Sequence, residues 1–248
     1  MSAERNYEVV IVGAGFSGVY QLIKLRKEGF KVHLLEAGNG LGGIWHWNCY
    51  PGARVDTHCE IYQFSDEKLW SDWDWKERFP GWEEMRAYFD HVDEKLNLRK
   101  DVTLNARVLR ASFDEDECCW ELATEESGIF KCSFVINCTG FGSKPYTPQL
   151  KGLETFDGQA HHTALWPQKG LSFSGKRVGV IGTGASGIQV AQEASKTAKH
   201  VTVFQRTPNM YLPMGQKKYG PEENRAMKRE LPERFKRRGQ TFGGFDFD

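Results

Sequence analysis

Tyr7-Glu8-Val9-Val10-Ile11-Val12-Gly13-Ala14-Gly15-Phe16-Ser17-Gly18 decides the fold. Tyr7 to Val12 is a short β-rich apolar run, the pattern of a strand buried in a parallel sheet, and it feeds directly into a glycine turn. Val19, Leu22, Ile23 and Leu25 or Arg26 then fall at helical spacing, Gly29 stops the helix, and Lys31 to Leu35 reads as a second strand ending at Glu36. In such a βαβ unit Gly13 allows the tight turn, Gly15 lets backbone approach a pyrophosphate, and Gly18 lets helix and strand pack closely. Amides at the helix start receive phosphates. Glu36, about 20 residues further on, is placed to accept from a ribose hydroxyl. A lone Gly-x-Gly-x-x-Gly is weak evidence, but strand, helix, second strand and acid in order make this a dinucleotide site.

The same grammar recurs downstream. Arg177 to Ile181 reads as a strand, Gly182-Thr183-Gly184-Ala185-Ser186-Gly187 as a second phosphate turn, Ile188 to Ala198 as a helix and Val201 to Phe204 as the paired strand. This strand ends in Gln205-Arg206-Thr207, with no acid where Glu36 stood. A carboxylate there would repel a 2′-phosphate, whereas a guanidinium binds it in a forked, charge-assisted contact. The second turn is therefore expected to prefer NADPH to NADH.

Between the two turns lies Phe156-Asp157-Gly158-Gln159-Ala160-His161-His162-Thr163-Ala164-Leu165-Trp166-Pro167. It fits Phe-x-Gly-x-x-x-His-x-x-x-Trp-Pro, and with a glycine turn on each side the chain resembles the Baeyer–Villiger monooxygenases, class B flavin enzymes. The resemblance implies FAD at the first turn, NADPH at the second, and O₂ used to convert a small-molecule ketone to an ester or lactone through a flavin peroxide. It implies catalytic roles for Asp56, His162 and Trp166. Carried over by position, Ile44, Trp45, Trp47, Asp56 and Tyr62 contact FAD, Val108 lies near its adenine, and Arg54, Val55 and Asp56 border the nicotinamide. Ser17 joins Gly13, Gly15, Gly18 and Glu36 at the first turn, and Thr183, Ser186, Gln189, Arg206 and Thr207 join Gly182, Gly184 and Gly187 at the second. A flavin N- or S-oxygenase, and a non-catalytic nucleotide-binding fragment, are the competing readings. A disulfide reductase is weaker, since no Cys-x-x-Cys is present to take electrons from a flavin.

The rest of the chain frames these signals. Its 248 residues carry 33 basic and 33 acidic side chains, so no net field draws it to nucleic acid or anionic lipid. The six Cys lack metal or redox spacing and fit free thiols in a reducing compartment. No apolar run reaches the roughly 18 residues of a bilayer span, and no leader precedes the first strand, so a cytoplasmic protein without membrane contact is expected.

Residues 42–56 read as a loop, residues 66–80 as an irregular surface excursion, and Trp82 onward as an amphipathic helix with Met85, Tyr88 or Phe89, Val92 and Leu96 on one face. Val102 to Val108, Cys119 to Ala123 and Ile129 to Val135 read as strands of a small meander. Gly220-Pro221 opens a helix interrupted by Pro232. The expected fold is α/β with two Rossmann-like dinucleotide-binding domains, the second incomplete. The expected boundaries are 1–150 for the FAD domain, 151–172 for a linker, 173–209 for the start of the NADPH domain and 210–248 for a helical segment. A mononucleotide-binding half normally needs βαβαβ, and the second turn has only two strands. The resemblance covers about the first half of such an enzyme. Its second half holds an Arg that Asp56 orients, so a truncation, a gene-model fragment or one piece of a split enzyme completed by a second polypeptide accounts for the length.

Overall fold

A computed structural model describes residues 6–245. The chain divides into two compact units, one of residues 1–47 and 86–144 and the other of residues 48–85 and 145–248. The break near 144 lies close to the boundary expected at 150, but residues 48–85 group with the second unit rather than the first.

In the first unit β1 (Asn6–Val12) leads into α1 (Phe16–Lys27) and β2 (Val32–Leu35). The six-stranded sheet adds β3 (Val102–Thr103), β4 (Val108–Asp114), β5 (Cys119–Thr124) and β6 (Ile129–Asn137) in the order β3-β2-β1-β6-β5-β4. β1 lies parallel to β2, with Val9 opposite Val32 and Val12 opposite Leu35, and parallel to β6, with Val12 opposite Asn137. β5 runs antiparallel to β4 and β6. Central β1 is apolar on both faces because a parallel strand is covered on both: Val9, Val10 and Ile11 are all buried. Val19 and Leu22 of α1, both fully buried, and the edge-on contact of Phe16 with Phe89 at 4.7 Å seat the helix beside the sheet. Phe89 comes from α4 (Trp82–Leu96), whose expected apolar face is sound: Met85, Tyr88, Phe89 and Val92 are all fully buried.

Two expectations here need correction. Residues 102–108 do not form one strand. Asn105 takes a left-handed φ of 53°, so β3 ends its parallel pairing at Thr103 and β4 starts an antiparallel one at Val108. Residues 42–56 are not wholly irregular either, because Ile44–Trp47 closes a helical turn, α2. Its exposed carbonyl ends find donors in Arg86, whose Nε donates to the Trp45 carbonyl at 3.1 Å and whose Nη2 donates to that of His46. Burial and the Arg86 charge together hold the His46 imidazole below its ordinary pKa.

In the second unit β7 (Arg177–Ile181) pairs in parallel with β8 (His200–Phe204) through α5 (Ala185–Ser195), and these are its two strands among the described residues. Cys49, Tyr50, Ala53, Trp166, Val180 and Val190 form its core, joined at the edge by Phe173 and Val178. Residues 66–80 are not purely a surface excursion, because their aromatic and aliphatic side chains enter the interior of this unit while Glu67, Lys68, Asp72 and Asp74 stay exposed: Leu69 is fully buried, Trp75 is 1% exposed and Phe79 5%. One helical turn, α3 (Glu67–Trp70), is capped by Asp66.

The segment Gln216–Asn224 supplies the hydrogen bonds that make this burial tolerable. Arg78 N donates to the Lys217 carbonyl at 2.8 Å, Tyr219 N to the Lys76 carbonyl at 2.8 Å, and the Tyr219 hydroxyl to Glu60 Oε1 at 2.6 Å. Asn224, 3% exposed on α6 (Pro221–Arg238), accepts from Trp75 N at 3.0 Å and donates to the Trp75 carbonyl at 2.8 Å. Asn224→Ala should therefore lower unfolding stability by about 2–4 kcal/mol, since it orphans a buried N–H and a buried C=O at once. A chemical-denaturation midpoint within error of the wild type would rule that role out. α6 also runs unbroken through Pro232. Only the donor to the Lys228 carbonyl is removed, and the Lys228 ammonium anchors that turn at Ser71 O and Asp74 Oδ1.

Candidate functional site: two glycine turns

The first turn is built by crowding. Gly13 has φ +103°, and a Cβ there would lie 2.6 Å from the Cys138 carbonyl oxygen at the end of β6. A Cβ on Gly18 would fall 1.8 Å from the Gly13 carbonyl oxygen, so only glycine lets α1 start against β1. Gly15 faces Gly43, the residue before α2, across a gap that a Cβ at 43 would close to 2.8 Å. Ser17 is exposed, and no side chain caps the amides opening α1. Glu36 is 4% exposed, with Oε2 accepting from Ala14 N and Oε1 from Gly38 N, both at 2.7 Å. The carboxylate thus braces two turns, and each oxygen retains a lone pair for a further donor. On α2, Ile44 and Trp47 are exposed while Trp45 is buried. Val108, half-buried, packs against the core cluster of Val10, Leu35 and Phe130.

The second turn repeats the construction. Gly182 has φ +100°, and a Cβ on Gly187 would lie 2.3 Å from the Gly182 carbonyl oxygen. Gly13 N donates to the Leu35 carbonyl at 2.8 Å, and Gly182 N donates to the Phe204 carbonyl at 2.9 Å. Gln205 therefore occupies the place of Glu36, one residue past its strand. Where Glu36 holds Ala14 N, Gln205 Nε2 donates to Thr183 Oγ1 at 3.1 Å. Buried Thr183 also donates to the Thr207 carbonyl at 3.4 Å and receives Asn209 Nδ2 on its own carbonyl at 2.6 Å. This small network fixes the strip that bears Arg206. Arg206 is itself exposed and has no hydrogen bond or ion pair among the described residues. Gly184 and Ala185 are exposed, and the opening amides of α5 again have no side-chain cap. One difference is plain: nothing lies within 4 Å of a Cβ on Gly182, where Gly13 has Cys138.

The other expected site residues are distributed as follows. Arg54 Nη1 is engaged with Glu77 Oε2 at 2.8 Å and the Phe79 carbonyl at 3.1 Å, and Val55 is 1% exposed. In the strip 54–56 only Asp56 is exposed, its Oδ1 accepting from Thr57 Oγ1 at 3.4 Å. Tyr62 is half-buried in the same unit. His162 Nδ1 accepts from Ala164 N at 3.1 Å, capping the short 3₁₀ turn Thr163–Leu165. A neutral ring in that arrangement carries its proton on Nε2, which is left as a donor. Trp166 is 8% exposed inside the second core, tilted against His161 and edge-on to Phe173, and its buried Nε1 has no partner among the described residues. It therefore holds the unit together from within.

Sequence reading missed Tyr50. Its hydroxyl lies 2.8 Å from Gln189 Oε1 and 3.1 Å from Ser186 Oγ on α5, and Gln189 Nε2 donates to the Arg54 carbonyl at 3.2 Å. The run Cys49-Tyr50-Pro51-Gly52-Ala53-Arg54 gives no local hint of those partners more than 130 residues on.

Two strand–glycine turn–helix units, each ending its second strand beside the turn, define a dinucleotide-binding α/β protein of Rossmann type. The chain belongs to the flavin-binding monooxygenase-like family, whose pattern it matches over residues 6–226. It is 56% identical over its whole length to a cyclopentanone 1,2-monooxygenase of Comamonas sp., covering 45% of that protein. It is 42% identical over 85% of its length to a phenazine N-monooxygenase of Lysobacter antibioticus, covering 39% of it. Among solved structures, a cyclohexanone monooxygenase from Rhodococcus sp. Phi1 bound to NADP+ superposes with a TM-score of 0.94 at 35% identity, over 99% of this chain and 46% of that one. The expected resemblance to the first half of Baeyer–Villiger monooxygenases holds, and this chain spans under half the length of each of these relatives.

Proposed function

We propose that this chain forms the FAD- and NADPH-binding half of a Baeyer–Villiger type monooxygenase acting with O₂ on a small ketone. The carrying observation is the pair of matched turns that diverge at one place, a buried acid after β2 and a free guanidinium beside Gln205 after β8. Both turns pass a fit test. Their glycines clear the space a pyrophosphate needs, and the amides opening α1 and α5 are uncapped donors.

FAD would be held by Gly13, Gly15, Ser17, Gly18 and Glu36 with the exposed Ile44 and Trp47 of the same unit, and when bound would supply electron transfer and oxygen activation. Gly182, Gly184, Ser186 and Gly187 hold the NADPH pyrophosphate, and Arg206 reads its 2′-phosphate. Asp56, the exposed carboxylate of its strip, orients a cation. His162, its Nδ1 accepting from Ala164 N, keeps Nε2 for a further partner, while Trp166 and Val55 act as packing supports. The arginine partner of Asp56 comes from the remaining length that the relatives possess, in the same chain or on a second polypeptide.

Six free thiols, three of them buried, support a reducing compartment such as the cytoplasm. Among the described residues no helix is long and apolar enough to cross a membrane. Burial pushes the Cys132 thiol up to about 11 and the Cys59 thiol further, so neither is a reactive nucleophile.

Absorption spectra of the purified protein before and after NADPH under air test the proposal. The expected result is a bound oxidised flavin that bleaches and recovers, and a protein that never retains flavin would overturn it. The identity to a phenazine N-monooxygenase keeps heteroatom oxygenation as the second reading. A sulfide oxidised in preference to cyclic ketones would select it.

A further inference from the structure

We propose that Tyr50 is a positioning residue for nucleotide binding at the second glycine turn, acting through the Ser186 hydroxyl. The inference rests on reading that turn as the NADPH site. The Arg54 carbonyl can only accept, so Gln189 must turn its amide nitrogen there, at 3.2 Å, and its Oε1 toward Tyr50, at 2.8 Å. Tyr50 is 7% exposed, and burial pushes its phenol up from its ordinary range, so it stays a protonated partner between Gln189 and Ser186. Gly52 presses the loop onto the same helix: its φ is +83°, and a Cβ there would lie 2.8 Å from the Gln189 carbonyl oxygen.

Ser186 sits in the first turn of α5, behind exposed Gly184 and Ala185, where a phosphate would meet the amides. The single phenol proton goes to Gln189 Oε1, which can only accept, so the Tyr50 oxygen faces Ser186 Oγ at 3.1 Å as an acceptor and holds the serine side chain in one rotamer at the turn, placed for the phosphate. The same phenol ties Gln189, and through it the Arg54 backbone that leads to Asp56, to whether the turn is loaded.

The test is titration calorimetry on the full chain with NADP+ and with adenosine 2′-monophosphate, which keeps the 2′-phosphate but has no pyrophosphate. Tyr50→Phe retains the ring in the core. It is expected to weaken NADP+ binding about 3- to 10-fold, the worth of one hydrogen bond, and to leave the monophosphate unchanged. In a Ser186→Ala background, the Tyr50→Phe change should cost nothing more. Equal losses for both ligands, or full additivity of the two substitutions, would overturn the positioning role while leaving the turn a nucleotide site. Wild-type protein that binds neither ligand would overturn the site itself and this proposal with it.

Discussion

Gly18→Ala is expected to give a protein that melts well below the wild type and emerges from purification without flavin. The added Cβ would stand 1.8 Å from the Gly13 carbonyl oxygen, so α1 must back away from β1 by more than an ångström, and forced overpacking of that kind costs roughly 1–3 kcal/mol or more. The pyrophosphate would lose its seat because the amides that face it travel with the helix. Gly15→Ala supplies the contrast. Its Cβ would meet only Gly43 Cα at 3.6 Å, an ordinary contact, so the fold should survive while the methyl obstructs the phosphate approach. Thermal melting read beside the flavin-to-protein absorbance ratio separates the two. A Gly18→Ala protein with wild-type melting and full flavin would remove the basis for the first site.

The second large effect is expected at Arg206. Replacing it with Ala should weaken NADP+ binding about 10- to 100-fold while leaving NAD+ within about twofold, because a hydrogen-bonded charge pair to the 2′-phosphate is lost and nothing else touches the side chain. Added salt should shrink the wild-type preference, since the guanidinium is exposed and screened. Titration of both nucleotides at two ionic strengths decides it. A parallel fall for both would mean that Arg206 supports the turn in general and does not discriminate.

Much of this was legible in the sequence because the decisive physics is local. A buried parallel strand announces itself as an apolar run, and a turn that crowds out a Cβ announces itself as spaced glycines; Gly13, Gly18 and Gly187 occupy such positions, and Gly182 takes a φ of +100°. What escaped was long-range. Trp75 reads as one aromatic among charges until Asn224 pairs both of its backbone groups, and Tyr50 reads as loop until Ser186 and Gln189 meet its hydroxyl. Arg54, which the resemblance places at the border of the nicotinamide, has its guanidinium engaged by Glu77 and the Phe79 carbonyl. Trp166, singled out as catalytic by resemblance, sits within the second core, because one motif can mix residues that pack with residues that face solvent. Pro232 misled in the opposite sense, since it lies on the exposed side of α6, where a lysine anchoring the affected turn makes one missing donor tolerable.

The way the backbone threads its two units has a practical side for anyone dissecting or recombining this chain. It changes units after 47, after 85 and after 144, so a linear fragment ending near 150 would separate residues 48–85 from the rest of their unit, residues 145–248. A chimera that swaps residues 48–85 from a relative would graft the lining of the second unit while leaving the first glycine turn native. Exchanging them together with residues 145–248 would move one intact inheritance block.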